Sequence, residues 1–240
     1  MNHEGLLFMT CLYLHIGLPK TATTTLQQDV FPFVDHFFFD YIGVAQPRGE
    51  KNDSLFNEIY RSVNTGDGIS DVKNALKERL AQGKSLIVSE EIFTVTTVGS
   101  TWQKKLENLG SLLDGVDYKI LLTVREPTSA MFSCYVELYR RYKKIKSSFP
   151  ELAIRHNDFK IYNYDYLFDV LAKYFGNIEI YVQSFEKLVA GDISSTLLFL
   201  GNPDFESDYT GIKTNNSKKS TSGAVLLPNR LELRWVRRTY

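Results

Sequence analysis

The chain has 240 residues, with 28 Lys+Arg against 28 Asp+Glu, and is 43% hydrophobic and 23% charged. This composition excludes disorder as the main state, and the balanced charge excludes a global field that gathers nucleic acid. The length fits one large α/β domain or two small ones, with a core that needs no disulfide or metal staple.

Both cysteines, Cys11 and Cys134, lie in apolar stretches and read as reduced, buried thiols. The four histidines show no ligand spacing for zinc, so no metal is expected. Residues 5–18 form the longest apolar run; Thr10 and His15 interrupt it, and it is too short to span a bilayer. It lacks the basic flank and cleavage site of a signal peptide, so a cytoplasmic protein without an integral membrane segment is expected. Asn52-Asp53-Ser54 and Asn215-Asn216-Ser217 match the glycosylation pattern and, with no secretion signal, read as coincidence.

In chain order, residues 11–16 read as a buried strand, followed by a turn at Gly17-Leu18-Pro19. A helix is expected over about 23–30, then an aromatic, strand-like run at 36–42. Helical spacing covers 71–81, with Gly83 as a stop. A short strand at 85–89, a helix at 102–113 and the most β-like run, 118–124, come next. A long helix is expected over 128–144, after Pro127. Residues 166–175 read as helix, 178–183 as strand, and 194–200 as helix ending at Gly201. Strands separated by helices predict a single three-layer α/β domain over 1–240, with a mostly parallel central sheet and right-handed connections. Ligands in such sheets bind at the carboxyl ends of the strands.

Two strand ends carry chemistry. Lys20-Thr21-Ala22-Thr23-Thr24-Thr25 joins the first strand to a helix, where backbone N–H groups and the helix dipole make an anion site. A turn that merely caps its helix also explains threonine here, but four threonines in five positions behind a lysine exceed what a cap needs. The nucleoside-triphosphate pattern Gly-x-x-x-x-Gly-Lys-[Ser/Thr] is absent, which suggests a phosphate-like anion held without a metal. Val124-Arg125-Glu126-Pro127 ends the strongest strand; Arg125 can fork onto a phosphate, and Ser133 lies eight residues on, about two helical turns inside.

Residues 14–27, Leu-His-Ile-Gly-Leu-Pro-Lys-Thr-Ala-Thr-Thr-Thr-Leu-Gln, resemble the 5′-phosphosulfate loop of sulfotransferases that use 3′-phosphoadenylyl sulfate (PAPS). Arg125-Glu126-Pro127 with Ser133 resembles their 3′-phosphate motif, and residues 181–201 resemble a later strand and helix. Ala22 departs from the pattern, since many members carry glycine there, and alanine tolerates fewer backbone conformations. The resemblance implies a nucleotide-kinase-like P-loop fold and PAPS as co-substrate, leaving adenosine 3′,5′-bisphosphate (PAP). It implies that Lys20 meets the bridging and sulfuryl oxygens, that Thr21, Ala22, Thr23 and Thr24 wrap the 5′-phosphate, and that Arg125 and Ser133 hold the 3′-phosphate. Residues 213–219 fall where relatives place a loop over the nucleotide; a solvated basic loop reads equally well.

The attacking hydroxyl needs a base. Glu90 and Glu91 end the strand at 85–89, where relatives place a catalytic His or Glu, and alternation turns them to opposite sides. They also read as an acidic pair at a helix start. Glu90, nearer the strand, is expected to serve, with Asp35 and Asp40 behind it. His15 is expected to support the sheet. Phe37, Phe38, Phe39, Tyr41, Tyr135 and Tyr139 line an acceptor cleft or belong to the core. The function expected is sulfuryl transfer from PAPS to a hydroxyl of a carbohydrate or small polar metabolite. The rivals are a nucleotide-kinase-like phosphotransferase and a non-catalytic nucleotide-binding module.

Overall fold

Continuous apolar runs with β-branched residues need cover on both faces, which a parallel sheet between helical layers provides. The computed structural model describes residues 10–47, 51–139 and 148–203. The first run is β1 (Leu12–Gly17), followed by α1 (Thr23–Thr25), a π-helical turn (Leu26–Val30), a 3₁₀ turn (Phe31–Phe33) and β2 (Phe39–Tyr41). Then come α2 (Ser54–Thr65), α3 (Ile69–Leu80), β3 (Ser85–Glu90), a 3₁₀ turn (Ile92–Thr94), α4 (Trp102–Leu113) and β4 (Tyr118–Val124). The remaining described elements are α5 (Pro127–Glu137), α6 (Phe149–Arg155), α7 (Asn157–Lys160), α8 (Tyr164–Phe175), β5 (Ile180–Ser184), α9 (Phe185–Val189) and α10 (Ser194–Phe199).

All five strands are parallel, in the order β2-β3-β1-β4-β5. β1 is central, with Leu14 level with Val88 on one side and Ile120 on the other. Alternation then sorts the side chains. Leu12, Leu14, Ile16, Leu86, Val88, Ile120 and Leu122 pack under α2, α3, α4 and α8. Tyr13, Ile87 and Leu121 face Leu26, Phe31, Leu188 and Phe199. Two helical layers thus enclose the sheet. Chain connections leave the carboxyl ends of β1 and β4 in opposite directions, and the crevice between those two ends is where such sheets hold ligands.

Several boundaries differ from the sequence reading. The helix at 23–30 widens into a π turn after Thr25 and tightens to 3₁₀ at Phe31–Phe33. The strand at 36–42 shrinks to Phe39–Tyr41, because Asp35 Oδ1 accepts the Phe37 N–H at 2.8 Å and bends the chain. The sequence reading missed α2. Its hydrophobic face rests on Phe56, Ile59 and Val63, and the glycosylation-like Asn52-Asp53-Ser54 is its cap, with Asp53 Oδ1 accepting from Leu55 N at 2.8 Å. α5 is described to Glu137; residues 140–144 of the expected longer helix lie outside the described residues. So do residues 213–219 and the end of the chain. Gly83 and Gly201 stop their helices at φ 94° and 81°, as expected.

Gly110 of α4 lies where the helix meets α8, and a Cβ there falls 2.4 Å from the Tyr174 carbonyl oxygen. Helix propensity alone favours Gly→Ala by roughly 0.5–1 kcal/mol. Packing reverses the sign: Gly110→Ala is expected to cost about 1–3 kcal/mol. Urea unfolding measures it, and a stabilised variant would refute the contact.

Candidate active site

The loop after β1 turns through two left-handed residues that are not glycine, Lys20 (φ 67°) and Ala22 (φ 65°). A left-handed backbone costs a residue with a Cβ roughly 1–2 kcal/mol, so neighbours must hold the loop in place. Thr21, fully buried, donates from Oγ1 to the Leu18 carbonyl at 2.6 Å. Tyr162 Oη donates to the Pro19 carbonyl at 3.0 Å. Thr94 Oγ1 lies 2.7 Å from the Gly17 carbonyl and 2.8 Å from that of Glu91. Ala22 is the cap position of α1 and supplies no side-chain bond. The Thr25 N–H is taken by the Ala22 carbonyl at 3.0 Å, and no cap side chain accepts from the N–H groups at the start of the helical stretch. Thr23 Oγ1 is buried and has no hydrogen-bond partner among the described residues. Only a glycine fits at position 17, where a Cβ would sit 2.1 Å from that hydroxyl.

Arg125 leaves the end of β4 and reaches this loop, with Nη1 donating to the Lys20 carbonyl at 3.2 Å. Its guanidinium lies 4.2 Å from the centre of the Phe185 ring. Tyr164 Oη fixes its backbone by accepting from Arg125 N at 3.1 Å and donating to Arg125 O. Glu126 caps α5, accepting from Thr128 N at 2.9 Å and Ser129 N at 2.6 Å. The bonds from Ser129 and Thr128 hold its carboxyl down at about 2. Ser133 is half-buried on α5. Glu137, four residues on and so on the same helix face, places Oε2 3.0 Å from Lys20 Nζ. The structure thus brings Lys20, Thr21, Ala22, Thr23, Arg125 and the Ser133 face of α5 to one crevice. Thr24 is half-buried beside them. Glu137 escaped the sequence reading; its position one turn beyond Ser133 was the available signal.

The two strand-end carboxylates differ sharply. Glu90 is level with Ile16 and fully buried on the α4 side, where Oε1 accepts the Ile92 N–H at 2.9 Å. Nearby Lys105 is also fully buried and donates to the Ile92 carbonyl at 3.1 Å. Burial pulls the Lys105 ammonium down to about 8, against the upward pull of Glu90. Glu91 is half-buried, and its carbonyl stands by Thr94 next to the Gly17 turn. Asp40 sits between Lys84 (3.1 Å) and Arg79 (3.4 Å). Asp35, before β2, is at the amino edge, away from the loop. Phe37 and Phe38 are exposed at that same edge, whereas Tyr135 and Tyr139 belong to the core.

His15 does support the sheet. Thr21 Oγ1 gives its proton to Leu18, so it accepts from Thr123 Oγ1 at 2.7 Å. Thr123 in turn accepts from His15 Nε2 at 3.4 Å, and His15 Nδ1 accepts from Ser89 Oγ at 2.7 Å. Ser89 Oγ accepts from Gln27 Nε2 at 3.1 Å, and Gln27 Oε1 from Gln46 Nε2 at 2.7 Å. The proton order assigns His15 as the neutral Nε2–H tautomer.

Two measurements follow. Burial presses the His15 imidazole from 6.5 down to about 3. The unfolded chain takes up this proton below 6.5 and the native chain does not, so stability falls as pH drops from 6.5 toward 3, at about 1.4 kcal/mol per pH unit. The His15 ring resonances are expected to stay those of the neutral tautomer from pH 7.5 to 5; a midpoint near 6.5 would contradict the burial. Glu137→Gln frees Lys20 from its ion pair, so inorganic sulfate or phosphate is expected to bind about 3–10-fold more tightly, a modest gain in keeping with a half-exposed pair. Weaker binding would show that Glu137 assists the anion.

No helix among the described residues is long and apolar enough to cross a membrane, and no cluster of three His, Cys, Asp or Glu side chains there is arranged to hold a metal. No protein-family model and no curated protein matches the chain. Among solved structures, it is similar to a sulfotransferase from Alicyclobacillus acidocaldarius, with 18% identity and a TM-score of 0.49, over 85% of this chain and 86% of that one.

Proposed function

We propose that the protein transfers a sulfuryl group from PAPS to an acceptor hydroxyl. The observation that carries the reading is the meeting of Lys20 and Arg125 at one crevice, through the 3.2 Å bond between them, in a loop whose sequence resembles a phosphosulfate cradle. The buried Thr23 hydroxyl without a partner among the described residues fits a phosphate oxygen. In this reading Thr21, Ala22, Thr23 and Thr24 surround the 5′-phosphate, and Arg125 with Ser133 takes the 3′-phosphate.

The transfer has few needs. The acceptor oxygen bonds to sulfur as the bond from sulfur to the phosphate oxygen breaks, and PAP departs with the electron pair. Negative charge grows on the bridging oxygen, where Lys20 stabilises it. Lys20 must first exchange Glu137 for the donor. A carboxylate takes the acceptor proton. We assign this role to Glu91 ahead of Glu90, reversing the order expected from strand position. Glu90 is enclosed and occupied by the Ile92 N–H and the Lys105 field, whereas Glu91 is half-exposed.

PAP binding by calorimetry tests the nucleotide, with ATP as the kinase control. Lys20→Ala is expected to lower turnover by ~10²–10³-fold while PAP still binds. Arg125→Ala is expected to weaken PAP by about tenfold to a hundredfold, with little effect on adenosine 5′-phosphosulfate. Equal losses for both nucleotides would move Arg125 out of the 3′-phosphate site. Side by side, Glu91→Gln is expected to lower turnover ~10²–10⁴-fold and to remove the acid limb of the rate–pH profile. If only Glu90→Gln does so, the assignment is reversed.

A further inference from the structure

A cavity of about 680 Å³ opens at the carboxyl end of β2, lined by Gln27, Asp29, Tyr41, Gln46, Asn52 and Asp53 among others. Its volume is in the range of small-molecule sites, roughly 300–1,000 Å³. Nothing in the nucleotide site uses it. In the sheet order, Arg125 ends a strand on one side of β1, and the cavity lies over the second strand on the other side. Strands stand about 4.8 Å apart, so the cavity is about 10 Å from the end of β1. In-line displacement places the nucleophile opposite the leaving group. With the nucleotide held toward β4, the acceptor must approach from the β2 side, and Lys20 stands between them.

The lining states what the cavity suits. An amide both donates and accepts, as a hydroxyl does. Gln27 is 2% exposed, and its Nε2 is committed to Ser89, at 3.3 Å from the carbonyl and 3.1 Å from Oγ. Its Oε1 orients Gln46, whose second N–H and Oε1 have no partner among the described residues. Asn52 is held by Ala45 N at 2.8 Å. The charges do not sum to a strong field: Asp29 and Asp53 stand against Lys51, and Asp53 already caps α2. Tyr41 is the only aromatic residue among the lining residues, and its hydroxyl is spent on the Val44 carbonyl at 2.8 Å. Pro32, Ile42 and Ala45 add to the lining a non-aromatic apolar side that suits the C–H face of a sugar ring.

We propose that this cavity seats the acceptor and that the acceptor is a neutral polyhydroxylated molecule, a saccharide or polyol, read by the Gln46 amide, which the buried Gln27 orients. The class of acceptor rests on the sulfuryl-transfer reading; the binding of polyols does not. The buried chain from Gln27 through Ser89 and His15 fixes the cavity floor to the same network that holds Thr21.

The test is titration of the full chain, with and without saturating PAP, by calorimetry. The probes are maltose, lactose, N,N′-diacetylchitobiose and glycerol, against 4-nitrophenol and tyramine. At least one saccharide or glycerol is expected to bind saturably, and Gln46→Leu is expected to weaken it tenfold or more with PAP affinity unchanged. Circular dichroism checks that the variant folds. Preference for 4-nitrophenol or tyramine, no saturable polyol binding, or binding indifferent to Gln46→Leu overturns the proposal. Polyol binding that depends on Gln46 in a chain that fails to bind PAP keeps the cavity assignment and removes the nucleotide reading.

Discussion

A neutral histidine in the middle of a parallel sheet is the constraint on which the site depends. His15 has no room for a second proton, and both of its ring nitrogens are engaged, by Ser89 and Thr123. One side of the imidazole leads to Thr21 and the anion loop, the other to Gln27 and the cavity. Each link is worth only about 0.5–1.5 kcal/mol net, but a buried polar group stranded by a broken link costs about 1–3 kcal/mol. A fully satisfied network of this kind specifies one arrangement. It holds the floor of the crevice in place while the loop above carries left-handed backbone at Lys20 and Ala22.

Charge is distributed in the same economical way. The net charge is zero, yet the crevice gathers Lys20 and Arg125. Two carboxylates temper them. Glu126 spends its charge on the start of α5, and Glu137 occupies Lys20. A lysine held by an exposed carboxylate is available to a stronger anion, whereas a lysine held by a buried one is not. Lys105 is withdrawn from solvent by other means: like Glu90 it is fully enclosed, and the two side chains bond the Ile92 carbonyl and N–H respectively at the turn after β3.

Much of this was legible in the residues. The runs Leu-Tyr-Leu-His-Ile and Tyr-Lys-Ile-Leu-Leu-Thr-Val announce buried parallel strands, because apolar residues predominate on both of their faces, with His15 and Thr123 as the buried polar exceptions. The Lys-Thr-Ala-Thr-Thr-Thr loop and Arg125 stand out in the sequence as candidates for anion binding, and the structure brings them together through the bond from Arg125 Nη1 to the Lys20 carbonyl. Facing was not legible. Alternation separates Glu90 from Glu91 but cannot say which layer α4 covers, so the burial of Glu90 emerges only from its level with Ile16. Nor could the cavity be read, because it joins residues 27–32, 41–46 and 51–53 across a sheet edge that a short β2 leaves open. Helix α2 was hidden by its own cap, whose Asn-Asp-Ser resembles a loop.

The central place of β1 has a consequence for the birth of the molecule. Its neighbours in the sheet are β3 and β4, and the His15 ring bonds to partners 74 and 108 residues further along the chain. During synthesis the first strand and the crevice loop emerge long before either flank exists, and chain entropy makes such distant pairings slow. An apolar strand with two unsatisfied edges must then wait, exposed to other chains, until β4 leaves the ribosome. The element that organises the finished site is the one most in need of protection while the rest is made, so a chaperone that shields the first segment should matter more to the yield of this protein than to its final stability.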